Sequence, residues 1–194
     1  MVRLNNSYLN RTGDFGDAKT VKGIDSTSRN MIENVVWNTG AFSWGQSAKN
    51  AYQSERGTRN GKECTQGTVY CTDTVKRTTP WTGKIGLIYP SDYGYASTYV
   101  NSETGKGCRD NINDNTNYSC KNENWLHNNS SYWTLSPRAD SDYSYLAWLV
   151  RSSGYVSNDY ALYGYGVRPS VYLKSNVSII SGDGASSAIA YQIA

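Results

Sequence analysis

The sequence predicts an α+β fold. Capped segments with helical apolar spacing occur only before residue 58, and after it short Thr-, Val-, Ile-, Tyr- and Trp-rich pieces alternate with turns. No internal repeat interrupts this order. The expected architecture is two early helices followed by a twisted, mostly antiparallel sheet.

Residues 1–25 are rich in Asn, Gly and Asp without periodicity, and read as a leading strand or loop. The segment STSRNMIENVVWNTGAF reads as the first helix. Ser26 or Ser28 would cap it, Met31, Ile32, Val35 and Val36 would form one stripe, and Gly40 would stop it. The segment SAKNAYQSERG repeats the scheme, with Ser47 as cap, Ala48, Ala51 and Tyr52 inward, and Gly57 at the end. Strand candidates are GTVYC, WTGKIGLIYPSDYGYAS, YWTLSP, YLAWLVRSSGYV and GVRPSVYLKSNVSII. Pro90, Pro137 and Pro169 fall at strand ends or edges, where a missing N–H does least harm. A last strand over Ala190 to Ile193 follows a Gly/Ser/Ala-rich turn.

Hydrophobic residues make up 38% and charged residues 18% of the 194, and Ser, Thr, Asn, Gly and Tyr take up the difference. That balance suits a loop-rich extracellular domain. The length fits one domain over 1–194. Net charge is +3 with no basic run, so no stripe exists to recruit nucleic acid. No stretch is apolar enough to span a membrane or reads as a signal-peptide core, so a natural N-terminal anchor is expected to have been removed.

Cys64, Cys71, Cys108 and Cys120 are an even set in polar, turn-rich sequence, which reads as a disulfide framework. Three connectivities are open, and local pairing (Cys64 with Cys71, Cys108 with Cys120) is the simplest. A zinc site is disfavoured, because no CxxC occurs and the lone His127 is not at ligand spacing.

Motifs for catalysis are missing. There is no GxSxG, GxxxxGK[ST] or HExxH, and GYGVRP lacks dinucleotide-fingerprint spacing. Asp92, Asp140, Asp142 and Asp159 are the carboxylates a glycosidase would need to pair. The run Asp110 to Asn117 lacks the spacing of a calcium loop and reads as a hydrophilic loop. No catalytic residue, metal or cofactor is therefore expected.

What stands out is a window crowded with Tyr, Ser, Gly, Asn and Asp between LAWLV and VRPSVYL. This is the vocabulary of antibody-type contact surfaces, in which Tyr supplies rigid amphipathic area and small polar residues adapt. The eleven contact candidates are Tyr143, Tyr145, Ser152, Ser153, Tyr155, Ser157, Asn158, Asp159, Tyr160, Tyr163 and Tyr165. The run Ser157 to Tyr160 has no apolar alternation and is expected to be exposed. Trp133, Trp148, Val167 and Leu173 are expected to pack beneath the window.

Several stretches resemble the C-terminal extracellular domain of pilin-like surface proteins of gut Firmicutes. They are Tyr52 to Gly57, Trp81 to Ser97, Cys108 to Cys120 followed by Asn124-Trp125-Leu126, Trp133 to Pro137, and Gly166 to Gly184. The family's hydrophobic N-terminal helix has no counterpart here. The closing pattern, a Tyr/Asn/Ser/Asp-rich region ending in GVRP, resembles C-type-lectin-like proteins, including variable proteins diversified by retroelements. The resemblance implies a C-type-lectin-like fold, a cell-surface or extracellular location, and recognition of a protein or glycan ligand on a cell or phage surface. The EPN and WND signatures of calcium-dependent sugar binding are absent. The alternatives are a structural pilin-like fibre subunit, whose partner is pilus assembly, and a carbohydrate-active enzyme.

Overall fold

The structure is a computed structural model describing residues 1–40, 44–55, 58–59, 62–63, 81–114, 119–138, 143, 145–183 and 189–194. Among the described residues the α-helices are α1 (Ser26–Met31), α2 (Ala48–Glu55) and α3 (Pro90–Tyr95). The strands before α3 are β1 (Val35–Trp37), β2 (Thr58–Arg59), β3 (Lys62–Glu63), β4 (Trp81–Gly83) and β5 (Ile85–Leu87). Those after it are β6 (Tyr132–Pro137), β7 (Leu146–Val150), β8 (Val156–Tyr160), β9 (Gly166–Val167), β10 (Pro169–Val171), β11 (Ile179–Ser181) and β12 (Gln192–Ile193). The chain is α+β. It divides into two compact units, one of residues 1–36, 82–86 and 170–194, the other of 37–81 and 87–169.

In the first unit the N-terminal residues are helical rather than extended, with a π-helical turn over Leu4–Tyr8 and a 3-10 turn over Gly13–Phe15. Asn5 ties this segment to the β4–β5 link. Its amide donates to the Ile85 carbonyl at 2.8 Å, and its Oδ1 accepts from the N–H groups of Lys84 and Ile85. Helix α1 is shorter than its apolar stripe predicts. Its cap is Asp25, which accepts from the Ser28 N–H at 2.9 Å, and the chain turns extended at Ile32. Val35 and Val36 therefore lie in β1, consistent with the strand preference of β-branched residues. Near the C-terminus β11 pairs antiparallel with β12, which covers only Gln192–Ile193 of the expected strand.

In the second unit a four-stranded sheet has the order β8-β7-β6-β9, antiparallel except for the parallel β6–β9 pair. Its core face carries Tyr132, Trp148, Val150 and Val156, which cluster with Ala48 and Ala51 of α2, Tyr93 of α3, Ile112 and the two sulfurs of Cys108 and Cys120. Helix α2 forms as expected, with the Ser47 hydroxyl accepting from the Asn50 N–H at 3.2 Å. Tyr52, however, is exposed rather than inward.

Helix α3 replaces part of an expected strand. Pro90 stands at its first turn, where the lost N–H costs nothing, and Asp92 reaches back to accept from the Tyr89 N–H at 2.9 Å. Gly94 lets α3 approach closely: a Cβ there would lie 2.5 Å from Ile112 Cγ2 and 2.8 Å from Ala48 Cβ. The buried carboxylate of Glu55, at the end of α2, accepts from both the N–H and the hydroxyl of Ser91.

Candidate recognition surface

Strand β7 is LAWLV, an apolar run that suits its place as one of the two inner strands of the sheet. It pairs residue for residue with β8, Leu146 opposite Tyr160 through Val150 opposite Val156. With side chains alternating along a strand, Trp148, Val150, Val156 and Asn158 share the core-facing side. Leu149, Ser157, Ala147 and Asp159 share the other, together with Trp133, which lies opposite Leu149. The strands therefore carry one face into the core, and on the second Leu149 and Ser157 are buried while Ala147, Asp159 and Trp133 are partly exposed.

The register decides where each sequence candidate falls. Tyr143, Tyr145, Tyr160 and Tyr163 gather at one end of the β7–β8 pair, and all four are exposed. Tyr145 immediately precedes the first paired residue, and its carbonyl accepts from the Ala161 N–H at 3.0 Å. The rings of Tyr145 and Tyr160 stack with centroids 5.2 Å apart and planes 16° from parallel. A turn closed by the Tyr163 N–H and the Tyr160 carbonyl at 2.9 Å brings Tyr163 back edge-on to Tyr160, 5.5 Å away. Tyr143 continues the series edge-on to Tyr145 at 6.4 Å, with the Arg138 guanidinium 3.9 Å above its ring. The result is a ladder of four rings whose orientations are held by one another.

On the outward sheet face lies a second constellation. Asp159 accepts from the Tyr165 hydroxyl at 2.7 Å and pairs with Arg151 at 3.0 Å, while Arg151 also donates to the Tyr165 oxygen at 3.1 Å. The same guanidinium donates to the Asn158 carbonyl at 3.3 Å. The Tyr165 ring in turn packs edge-on to Trp133, 5.1 Å between centroids.

The hydrogen bond from Tyr165, then the backbone N–H of Tyr160 and the charge of Arg151, hold the Asp159 carboxyl below its ordinary range against the opposing effect of burial. The same hydrogen bond to Asp159 raises the Tyr165 hydroxyl. A depressed carboxylate stabilises the fold above its unfolded value, near pH 4, and that contribution is lost as pH falls through the folded value. A raised tyrosine stabilises below about pH 10, and that contribution is lost as pH rises through the folded value. The network is thus fully formed between these limits. Tyr165→Phe removes the donor and is expected to shift the Asp159 titration upward, measured from its side-chain carbon resonance against pH. An unshifted titration would show that Tyr165 is not the cause.

The remaining candidates do not join the ladder. Ser152, Ser153 and Tyr155 belong to the β7–β8 turn at the far end of the strands, roughly 15 Å away along a five-residue strand. Ser152 is exposed, and its N–H bonds the Ser131 hydroxyl at 3.0 Å; Ser153 and Tyr155 are half-buried. Gly154 in this turn has φ +95°, and a Cβ would sit 2.2 Å from that of Lys121. Ser157 is 8% exposed, which corrects the expectation that Ser157 to Tyr160 is exposed throughout. The run lacks alternation because Ser157 is a small polar residue packed on the outward face, and exposure rises only toward Tyr160.

The supporting layer also differs from expectation. Trp148 is buried as foreseen, but Trp133 is part of the outward face. Val167 is 49% exposed, and Leu173 is 43% exposed and belongs to the other unit, so neither supports the window. Their apolar character alone suggested burial; the sheet register did not follow from it.

Cys108 and Cys120 form a disulfide. Cys64 and Cys71, like Asp140 and Asp142, lie outside the described residues. Asp110 and Asn111 accept backbone N–H groups within their own loop, and Asn113 pins it to neighbours. Its Oδ1 accepts from Gly45 and its amide donates to the Val156 carbonyl at 2.9 Å. Among the described residues no group of three or more His, Cys, Asp or Glu is placed to hold a metal. His127 is half-buried rather than solvent-facing, its Nδ1 3.3 Å from the Tyr93 hydroxyl.

Arg138 and Arg151 are half-buried residues that sequence reasoning passed over, and Trp133 was noted only as support beneath the window. Arg151 directly follows LAWLV, and a cation at the end of an apolar run is the signal that was available. Comparison with family models, with curated proteins and with solved structures finds no match to this chain.

Proposed function

We propose that the chain is an extracellular, C-type-lectin-like recognition domain that binds a protein or glycan partner through the tyrosine ladder. The observation that carries this reading is the ladder itself: Tyr143, Tyr145, Tyr160 and Tyr163 are exposed, yet their rings are already ordered against one another. Side chains that are ordered before binding lose little rotamer entropy on contact, so their area converts to affinity. Tyr at such positions commonly dominates binding energy. The Cys108–Cys120 disulfide suits an oxidising, extracellular setting. The eleven candidates are of the residue types that retroelement diversification favours, and the reading includes that they vary between copies while β6 and β7 do not.

The test is binding to intact bacterial cells, phage particles and a glycan array, comparing wild type with Tyr145→Ala and Tyr160→Ala. Each substitution is expected to weaken binding about 30-fold or more, as hot-spot residues do. The thermal midpoint should hardly change, because both rings are at the surface. Binding that survives both substitutions would place the contact elsewhere.

A further inference from the structure

A second exposed aromatic site lies elsewhere in the same unit, built by α3 and the turn after Cys120. Among the described residues, Ile88, Asp92, Tyr95, Ala96, Trp125 and Leu126 line a groove of about 350 Å3. Its apolar floor is buried Ile88, Ala96 and Leu126, whereas Trp125 is 77% exposed and Tyr95 is also exposed. A bare indole on a loose loop would signify little. This turn is tightly fixed. Buried Asn124 donates to the carbonyls of Tyr93 at 3.0 Å and Cys120 at 2.8 Å, and its Oδ1 accepts from the Leu126 N–H at 3.0 Å. The Leu126 carbonyl accepts from the Tyr132 hydroxyl at 2.9 Å and from Arg168. Buried hydrogen bonds on both sides of Trp125 thus hold a large apolar ring in water.

The lining narrows what could cover that ring. Among the described lining residues Asp92 is the charged one, and its carboxylate accepts from the Tyr89 N–H at the start of α3. A saccharide would need several fixed polar partners for its hydroxyls. Among the described residues the lining side chains include two polar ones, Asp92 and the Tyr95 hydroxyl. A quaternary ammonium needs none: it needs aromatic rings and a nearby negative charge, and the groove is lined by Trp125, Tyr95 and Asp92.

We propose that the Trp125–Tyr95–Asp92 groove binds a quaternary ammonium group, such as a trimethylammonium head. This site is separate from the tyrosine ladder and stands or falls independently of it. The probe is choline chloride, added at constant ionic strength to the full chain labelled with 15N. The readout is the Trp125 indole N–H cross-peak, assigned with Trp125→Phe. Choline is expected to shift that peak with a Kd on the order of millimolar, as a half-open cation–π site allows. Its neutral carbon isostere, 3,3-dimethyl-1-butanol, should bind on the order of 10-fold more weakly, the factor that about 1.4 kcal/mol of charge interaction represents.

Asp92→Asn keeps an oxygen for the Tyr89 N–H and removes the charge, so it should weaken choline about 10-fold, with the melting midpoint measured alongside to show that the variant is folded. Tyr95→Ala, at an exposed position, should weaken it also. Sedimentation with phosphatidylcholine vesicles distinguishes a lipid source from a soluble one: co-sedimentation that free choline competes away assigns the head group of a membrane. Free protein with an intact choline shift assigns a soluble or polymer-borne ligand. No shift of the Trp125 peak with choline, equal binding of the neutral isostere, or a shift with monosaccharides in place of choline would each overturn the proposal.

Discussion

Trp148→Ala is expected to cost about 3–5 kcal/mol, the range for removing a large buried aromatic side chain and leaving a cavity. Trp148 is fully buried in the middle of β7, and the core of the second unit assembles around it: Tyr132 and Val150 beside it on the sheet, Ala48 and Tyr93 on the helices. Its backbone carbonyl accepts from the buried Thr134 hydroxyl at 2.7 Å, and the ring of Trp44 lies 5.7 Å away. Because Trp148 stands opposite Asn158, the cavity opens directly under the strand that carries Asp159 and Tyr160. The measurement is denaturant unfolding of wild type, Trp148→Ala and Trp148→Phe, with Phe expected to recover part of the loss. A cost below about 1 kcal/mol for Ala would mean that the indole does not organise this core.

The second large effect is loss of the Cys108–Cys120 bridge. Replacing both residues with Ser is expected to destabilise by about 3 kcal/mol, the constraint that a bridge of this span places on the unfolded chain. The sequence separation is 12, and both cysteines are buried in the core cluster. The damage should have a particular location. The bridged loop is stitched to the start of β8: the Val156 N–H donates to the Ile112 carbonyl at 2.9 Å, and the Asn113 amide returns to the Val156 carbonyl. Hydrogen exchange at the Val156 amide should therefore accelerate in the double Ser variant more than exchange at Trp148. Unchanged exchange at Val156 would show that these hydrogen bonds hold the loop without the bridge.

Much of the second unit was legible as sequence. LAWLV is a strand because a short, β-branched and aromatic apolar run bounded by turns has few other solutions, and β7 has those bounds. The cap on α2 at Ser47 was visible for the same kind of reason: it is satisfied within a few residues. Helix α1 misled because four apolar residues at helical spacing also fit a short helix that hands Val35 and Val36 to a strand. The deciding interactions are long-range, such as the Ile32–Leu173 bridge. Helix α3 was hidden in a segment rich in strand formers, although Pro90 at the first turn and Asp92 two residues on are a local helix-start signal.

The sequence by itself determined the class of the protein: α+β, without a basic stripe or a familiar catalytic motif, and with a Tyr-rich window flanked by framework. Those properties depend on composition and on spacing along the chain. The tertiary structure decided which of the eleven candidates act together. Packing at one end of the β7–β8 pair brings the ring of Tyr145 beside that of Tyr160, the pairing sends Ser152, Ser153 and Tyr155 to the opposite end, and on one shared face Ser157 is buried while Trp133 is half-buried. Pairing register depends on contacts between residues far apart in sequence, and one step of slip would exchange the two faces. For that reason a list of surface residues could be read from the chain, but a surface could not.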